Sequence, residues 1–407
     1  MTEQIQSGGA IISEGGFGCI FHPHLSCSGK EQKQKKWVSK IQKDDENAKN
    51  EVFIGKKIQQ IHAFSTYFIP IIESCPININ KIQKNIRKEC TIFEKYKKNN
   101  FMIMKMFYIE GMSYNKFMLE NKNSSNLIVI LIHNYNHLLL ALKKLVNHNI
   151  IHYDIKGDNL HYNTKMQLPI FLDFGLSIFI KDVYKCKNTN DLRKYFYVYA
   201  PSYYIWCSEI HLLCYLINIE FNPSDNELMI MSKDITDSLF KVLRILSSSF
   251  IKQYQKACFE KLKWYNSRPN KVQELINSWK TWDNFSLSVL YIRFLHYINM
   301  DGFIKNNFWI FFSKILIENI NPDPLKRNSI EKTMIKFKEM KFENMYKYDD
   351  FVNLGKISSL RGYKNELKKD LREERELVKK THSKKNAKGI SQYSVQLPLN
   401  FNTSGVI

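Results

Sequence analysis

The run Ile151-His152-Tyr153-Asp154-Ile155-Lys156-Gly157-Asp158-Asn159-Leu160, with Asp173-Phe174-Gly175 following fourteen residues after its asparagine, constrains this chain more than any other feature. Moving a phosphoryl group from a nucleotide needs this set of side chains. A carboxylate orients an acceptor hydroxyl, a lysine neutralises the transferring group, and an amide with a second carboxylate holds magnesium. Asp154, Lys156, Asn159 and Asp173 fit those roles in that order. Taken singly each has an ordinary reading, because Asp154 suits the cap of a turn and Phe174-Gly175 the end of a hairpin. The ordered combination carries the information.

With these residues the chain resembles the eukaryotic-type protein kinase superfamily, whose catalytic loop reads H-R-D-L-K-x-x-N and whose metal loop reads D-F-G. The resemblance implies an α+β, bilobal protein-kinase-like fold, with a small β-rich N-lobe and a larger helical C-lobe. It also implies ATP and Mg as the bound groups. Upstream, residues 12 to 21 read Ile-Ser-Glu-Gly-Gly-Phe-Gly-Cys-Ile-Phe and look like a glycine-rich loop, with Ser13, Gly15 and Gly18 in the three glycine places. Such a loop lets backbone N–H groups approach phosphates with no Cβ in the way. Trp37-Val38-Ser39-Lys40-Ile41 looks like the third strand of the small lobe, and Glu51, in a stretch of helical composition from Asn47 to Ile61, is the expected partner of Lys40. By the same resemblance Ile12, Gly15, Gly16, Phe17, Gly18, Ile20, Val38, Lys40, Glu51, Met104, Lys105, Phe107 and His161 surround the nucleotide. Met104 would guard the back of the adenine pocket, and Lys105 to Phe107 would form the hinge. Asp154 and Lys156 would be catalytic, and Asn159 and Asp173 would hold the metal.

Lys156 selects among kinases. A lysine two places after the catalytic aspartate marks the protein Ser/Thr group, whereas small-molecule kinases usually lack it. The expected activity is therefore transfer of the γ-phosphoryl of Mg-ATP to Ser or Thr hydroxyls of a protein substrate. The alternative is a pseudokinase scaffold or nucleotide-binding interaction module. The segments H-Y-D-I-K-G-D-N, G-G-F-G-C-I-F-H-P, V-S-K-I and Tyr203-Tyr204-Ile205-Trp206 further resemble divergent Ser/Thr kinases of nucleocytoplasmic large DNA viruses. That likeness implies an intracellular protein of the host cytoplasm, packaged into virions.

The resemblance extends to structural positions. Glu209, in Cys207-Ser208-Glu209, is expected to pair with the arginine of Asp323-Pro324-Leu325-Lys326-Arg327, and Asp283 to brace the catalytic-loop backbone. Residues 1–107 are read as N-lobe and hinge, 108–335 as C-lobe, and 336–407 as a basic, partly disordered extension. Apolar residues at helical spacing between Ser124 and Asn149 predict a long core helix. Between Glu209 and Asp283 the family has about a dozen residues. Here 73 intervene, read as a helical insertion (210–280) with amphipathic stretches around Ile235–Ile251 and Tyr254–Trp264. The insertion suits either a docking surface or an elaborated loop packed on the large lobe. Three departures stand out. Tyr153 replaces the arginine that reads a phosphorylated activation loop, so modification of Ser177 or Thr189 is not expected to act as a switch. His161 stands where the adenine floor is apolar, and Gly55 should weaken packing of its helix on Phe174.

The balance of 60 basic and 39 acidic residues gives +21, which favours an acidic partner or nucleic acid. The excess of Lys, Asn and Ile throughout the chain also fits A/T-rich coding. Eight scattered cysteines with no C-x-x-C pair predict reduced thiols. Cys19, His22, His24 and Cys27 have spacing that resembles a zinc site, although Cys19 falls in the strand of the glycine-rich segment. Neither a membrane-spanning run nor a signal peptide is expected. The stretch Tyr363 to Lys380 is read as a solvated charged helix, and the lysine-rich 379–388 as a solubilising tail.

Overall fold

The structure, a computed structural model, describes residues 10–14, 18–29, 32, 34–82, 84–96, 100–124, 126–297 and 307–344. It is α+β, with antiparallel sheets concentrated in the N-terminal region and helices in the C-terminal region. Two compact units divide it. The first takes the chain up to Phe117 together with Gly157–Ser177; the second takes Met118–Lys156 and the chain from Ile178.

In the first unit five strands pair in the order Ala10–Glu14, Gly18–His22, Trp37–Lys43, Phe101–Phe107, Glu73–Ile77, every neighbour antiparallel. Alternation along the strands sorts the apolar side chains onto two faces. Cys19, Phe21, Ile41, Phe101 and Ile103 face one core, closed by the short helices Lys84–Glu89 and Ile92–Lys95. Ile20, Val38, Met102, Met104 and Met106 belong to the other, with Ile69, Ile71 and Ile170. Each fully buried side chain of this size contributes about 1.5–3 kcal/mol. A second, four-stranded sheet joins Phe68–Ile69, Leu168–Leu172, Leu160–Asn163 and Gly111–Ser113.

The helix Glu46–Ile58 starts at Asp45, whose side chain accepts from the Ala48 N–H at 3.1 Å, and it carries Glu46 in its first turn and Lys56 and Lys57 in its last. Those charges suit the helix dipole. Gly55 is set against the Ile71 backbone, a contact that the sequence did not foresee. A Cβ there would lie 2.6 Å from the Ile71 carbonyl oxygen, so the glycine is what lets the helix approach that backbone. Phe174 is buried and meets Phe68 edge-on, with ring centroids 6.1 Å apart.

Two disulfides, Cys19–Cys90 and Cys27–Cys75, replace the reduced thiols expected at those positions. They also exclude the zinc reading of Cys19, His22, His24 and Cys27, because both sulfurs of that set are bridged. His22 instead stacks on Tyr108 at 4.0 Å and bonds the Lys35 carbonyl at 2.8 Å. The pairing was hidden because the partners lie 71 and 48 residues apart.

The second unit is helical. Leu127–Asn147 buries Leu127, Ile128, Leu131, Leu138, Leu142 and Leu145, the stripe read from the sequence. Trp282–Tyr297 is buried nearly all round. The insertion forms Asp225–Val242, Ser248–Asn266 and Lys271–Asn277. Its predicted stretch 235–251 is broken, because Ser247 caps a new helix by accepting from the Phe250 N–H at 3.2 Å. The apolar faces of these helices, including Leu228, Ile235, Leu239, Tyr254 and Leu262, are buried. Among the described residues no helix is long and apolar enough to cross a membrane. The readings for 363–380 and 379–388 lie outside the described residues.

Candidate active site

In the first unit Lys40 sits on the central strand, in register with Ile20 on one side and Met104 on the other. Its Nζ donates to Glu51 Oε2 at 2.8 Å and to Asp173 Oδ1 at 3.3 Å. Burial opposes the charge on Lys40, but Asp173 and Glu51 outweigh it and hold the ammonium above the ordinary lysine value. Burial pushes the Glu51 carboxyl up, with Asp173 adding to the effect against the pull of Lys40. Two acidic side chains thus share one cation in a nearly dry site.

Asp173 has φ +62°, in the left-handed region that non-glycine residues seldom adopt. Such backbone costs about 1–3 kcal/mol and persists only where its surroundings fix it. Lys40 holds the side chain. Asn50, one residue before Glu51, holds the segment that follows by donating to the carbonyls of Gly175 at 3.0 Å and Ser177 at 2.9 Å. Nothing in the sequence pattern singled out Asn50. Ser177 is buried, which removes it as an accessible modification site.

Asn159 ends the single turn Gly157–Asn159 in the same unit and is buried. Asn159 and Asp173 offer amide and carboxylate oxygens, the donors that Mg2+ prefers. The donor set fits the metal.

Several residues expected around a nucleotide share one face. Ile12 and Ile20 pack against the cluster that holds Val38 and Met104. Gly18 is required by close approach, since a Cβ there would lie 2.2 Å from the Ile41 carbonyl oxygen. Gly15, Gly16 and Phe17 lie outside the described residues. The hinge expected at Lys105 to Phe107 falls at the end of the strand Phe101–Phe107. All three residues are strand, with Lys105 opposite Ser39 and Phe107 opposite Trp37, and the Lys105 carbonyl accepts from the Ile72 N–H at 2.8 Å. The chain leaves the strand only at Tyr108, whose N–H donates to the Lys36 carbonyl at 2.9 Å. Phe107 stacks on Trp37 at 4.5 Å, and the Lys105 ammonium lies 4.3 Å from the Trp37 ring centroid. Both side chains therefore serve the face opposite Met104 and Met106.

His161 lies in the strand Leu160–Asn163, 1% exposed. Burial holds its ring down to about 4, against a hydrogen bond with the Ile109 backbone, so it is neutral at physiological pH. A neutral imidazole is compatible with an apolar floor.

The second unit builds the other half of the predicted chemistry. Tyr153 has φ +71°, unusual for a bulky residue. Its backbone is held on both sides: Asp283 accepts from the His152 N–H at 2.7 Å and the Tyr153 N–H at 2.9 Å, while Trp206 Nε1 donates to the Tyr153 carbonyl at 2.9 Å. Asp283 thus braces this loop as expected. Burial pushes its carboxyl up, against His152 and the two N–H groups. The Tyr153 ring packs among Trp206, Phe196 and Trp282, with its hydroxyl near the Cys214 sulfur, so this position offers no cation to a phosphate.

Held by that turn, Asp154 is buried with one carboxylate oxygen on Lys156 Nζ at 3.0 Å and the other on the Tyr203 hydroxyl. The Lys156 Nζ is 3.5 Å from the same hydroxyl. No sequence signal gave Tyr203 a role. Glu209 and Arg327 meet as expected, in a fully buried fork with N–O distances of 3.0 and 2.9 Å. No protein-family model matches the sequence, and no curated protein matches it. The functional reading therefore rests on these residues.

Proposed function

We propose that this chain is an ATP-dependent serine/threonine protein kinase, with a bilobal kinase-like fold and Mg2+ as its metal, related to the divergent kinases of large DNA viruses. The observation that carries the reading is Lys40 held between Glu51 and Asp173, residues 11 and 133 positions away. A buried lysine is costly to maintain without a purpose for its charge, and here it remains a cation beside an acidic oxygen donor.

On this reading Lys40 binds the α- and β-phosphates, and Glu51 fixes its direction. Ile12, Ile20, Val38 and Met104 supply the apolar wall for the base, above the neutral His161. Asp173 and Asn159 would hold Mg2+, which neutralises phosphate charge when bound. Asp154 orients the acceptor Ser or Thr hydroxyl. Its oxygen attacks the γ-phosphorus, the bond to the β–γ bridging oxygen breaks, ADP departs, and the hydroxyl proton passes to Asp154. Lys156 stabilises the negative charge on the transferring group.

The test is phosphoryl transfer from labelled Mg-ATP to protein acceptors. Asp154→Ala should abolish transfer while leaving ATP binding nearly intact, and Lys40→Met should weaken both. Wild-type turnover in Asp154→Ala would refute the assignment.

A further inference from the structure

Two of the internal partners of the Asp154 carboxylate, Lys156 and Tyr203, differ in kind. Lys156 is a cation that any mechanism using Asp154 must accommodate. Tyr203 presents a hydroxyl to the other oxygen, with Lys156 Nζ 3.5 Å from that same hydroxyl. A serine or threonine acceptor would present the same group to the same atoms.

Tyr203 is not there by accident of a loose loop. Its N–H donates to the Ala200 carbonyl at 2.9 Å and its carbonyl accepts from the Trp206 N–H at 3.1 Å, which closes a tight turn. Its ring meets Trp206 edge-on at 5.0 Å, and Trp206 is itself fixed to the Tyr153 carbonyl. The adjacent Tyr204 is drawn elsewhere, its hydroxyl accepting from Arg293 at 2.7 Å. Of the two neighbouring phenols, one is tied to Arg293 and the other is aimed at Asp154.

We propose that Tyr203 is an internal acceptor mimic: its hydroxyl occupies Asp154 until a protein Ser or Thr hydroxyl displaces it, and it thereby keeps water from serving as the acceptor. The inference rests on the kinase reading of Asp154. Burial, and the negative Asp154 beside it, hold the phenol far above the usual tyrosine range, so it remains a protonated donor. The reaction it suppresses is hydrolysis. Water oxygen attacks the γ-phosphorus, the bond to the β–γ oxygen breaks, ADP leaves with its electron pair, and the water proton passes to Asp154.

A specificity residue of this kind changes the partition between acceptors, which a merely structural hydroxyl does not. The experiment measures ADP release and acceptor phosphorylation in parallel for wild type, Tyr203→Phe and Tyr203→Leu, with Mg-ATP and a Ser-containing protein acceptor. Both variants lack the hydroxyl, and thermal unfolding checks that they remain folded. We expect acceptor-independent ADP release to rise about tenfold in both variants, and the acceptor KM to fall by a similar factor, as removal of one hydrogen bond to a carboxylate implies. Transfer by wild type with no rise in acceptor-independent ADP release in either folded variant would overturn the role of Tyr203 and leave the kinase reading standing. A drop in kcat at constant KM would do the same, marking Tyr203 as a positioning residue. Absence of both transfer and hydrolysis in all three proteins, with Mg-ATP binding intact, would overturn the kinase reading and this inference with it.

Discussion

Replacing Arg327 by methionine should destabilise the helical unit by about 3–5 kcal/mol, the cost of leaving a buried charge without its partner. The environment explains why the cost belongs at this level. Arg327 makes five hydrogen bonds through its guanidinium: two to Glu209, one to Thr281 Oγ1 and two to the Asn321 carbonyl. Glu209 also accepts from Ser208 at 3.2 Å and Ser278 at 3.3 Å. All five N–H groups are used, and four bonds converge on the carboxylate. Methionine removes the charge and keeps much of the volume beside Phe285, so the loss reports electrostatics and hydrogen bonding more than a cavity. The double variant Glu209→Leu/Arg327→Met should recover at least about 2 kcal/mol relative to the sum of the single variants, because no unpaired charge remains. Urea unfolding followed by tryptophan fluorescence suits the measurement, since Trp206, Trp264, Trp279, Trp282 and Trp309 all lie in this unit and only Trp37 lies in the other. A single-variant cost below about 1 kcal/mol, or a double variant at the simple sum, would refute the reasoning.

Gly55→Ala should destabilise the first unit by about 1–3 kcal/mol, opposite in sign to helix propensity, because the added methyl meets the Ile71 carbonyl; a stabilised variant in thermal unfolding would contradict this. Stability should fall on acidification through the window from about 6.5 to about 4, since the unfolded chain protonates its histidines there while buried His161 stays neutral down to about 4. That difference is worth about 3 kcal/mol, and His161→Leu should flatten the pH dependence of the unfolding midpoint of the first unit. His211, which burial holds down to about 3, should give the second unit a similar acid-side loss. Reduction of Cys19–Cys90 should cost about 4 kcal/mol by loop entropy alone, given its 71-residue separation. Unfolding midpoints that do not move with dithiothreitol would rule out that contribution.

Legibility from sequence followed local constraint. Lys40 and its partner Glu51 were readable through the resemblance of their segments to kinase ones, whereas the bond from Lys40 to Asp173 was not foreseen. Asp283, Glu209 and Arg327 were likewise readable through short motifs. The end of the strand Phe101–Phe107 was not, because Met102, Met104 and Met106 alternate onto one face without a break, and periodicity cannot say where pairing stops. The need for glycine at 55 was not readable, because it comes from the Ile71 backbone and no local pattern marks that approach. Tyr203 lay beyond sequence reasoning for a different cause: its role depends on a turn held by Trp206, and tyrosine alone carries no spacing signal.

The sulfur chemistry divides the chain. Cys19, Cys27, Cys75 and Cys90 are all bridged in the first unit, with the shorter ring nested inside the longer, whereas Cys186, Cys207, Cys214 and Cys258 of the second unit are free thiols. A single backbone cut between residues 28 and 74 would leave its fragments tethered by Cys27–Cys75. Alkylation without a reductant addresses only the second unit, beginning at the half-buried Cys186 and reaching Cys207, Cys214 and Cys258 as their surroundings open. Each half of the protein thus carries a built-in reporter of its own unfolding, one read by reductant and the other by thiol reagent.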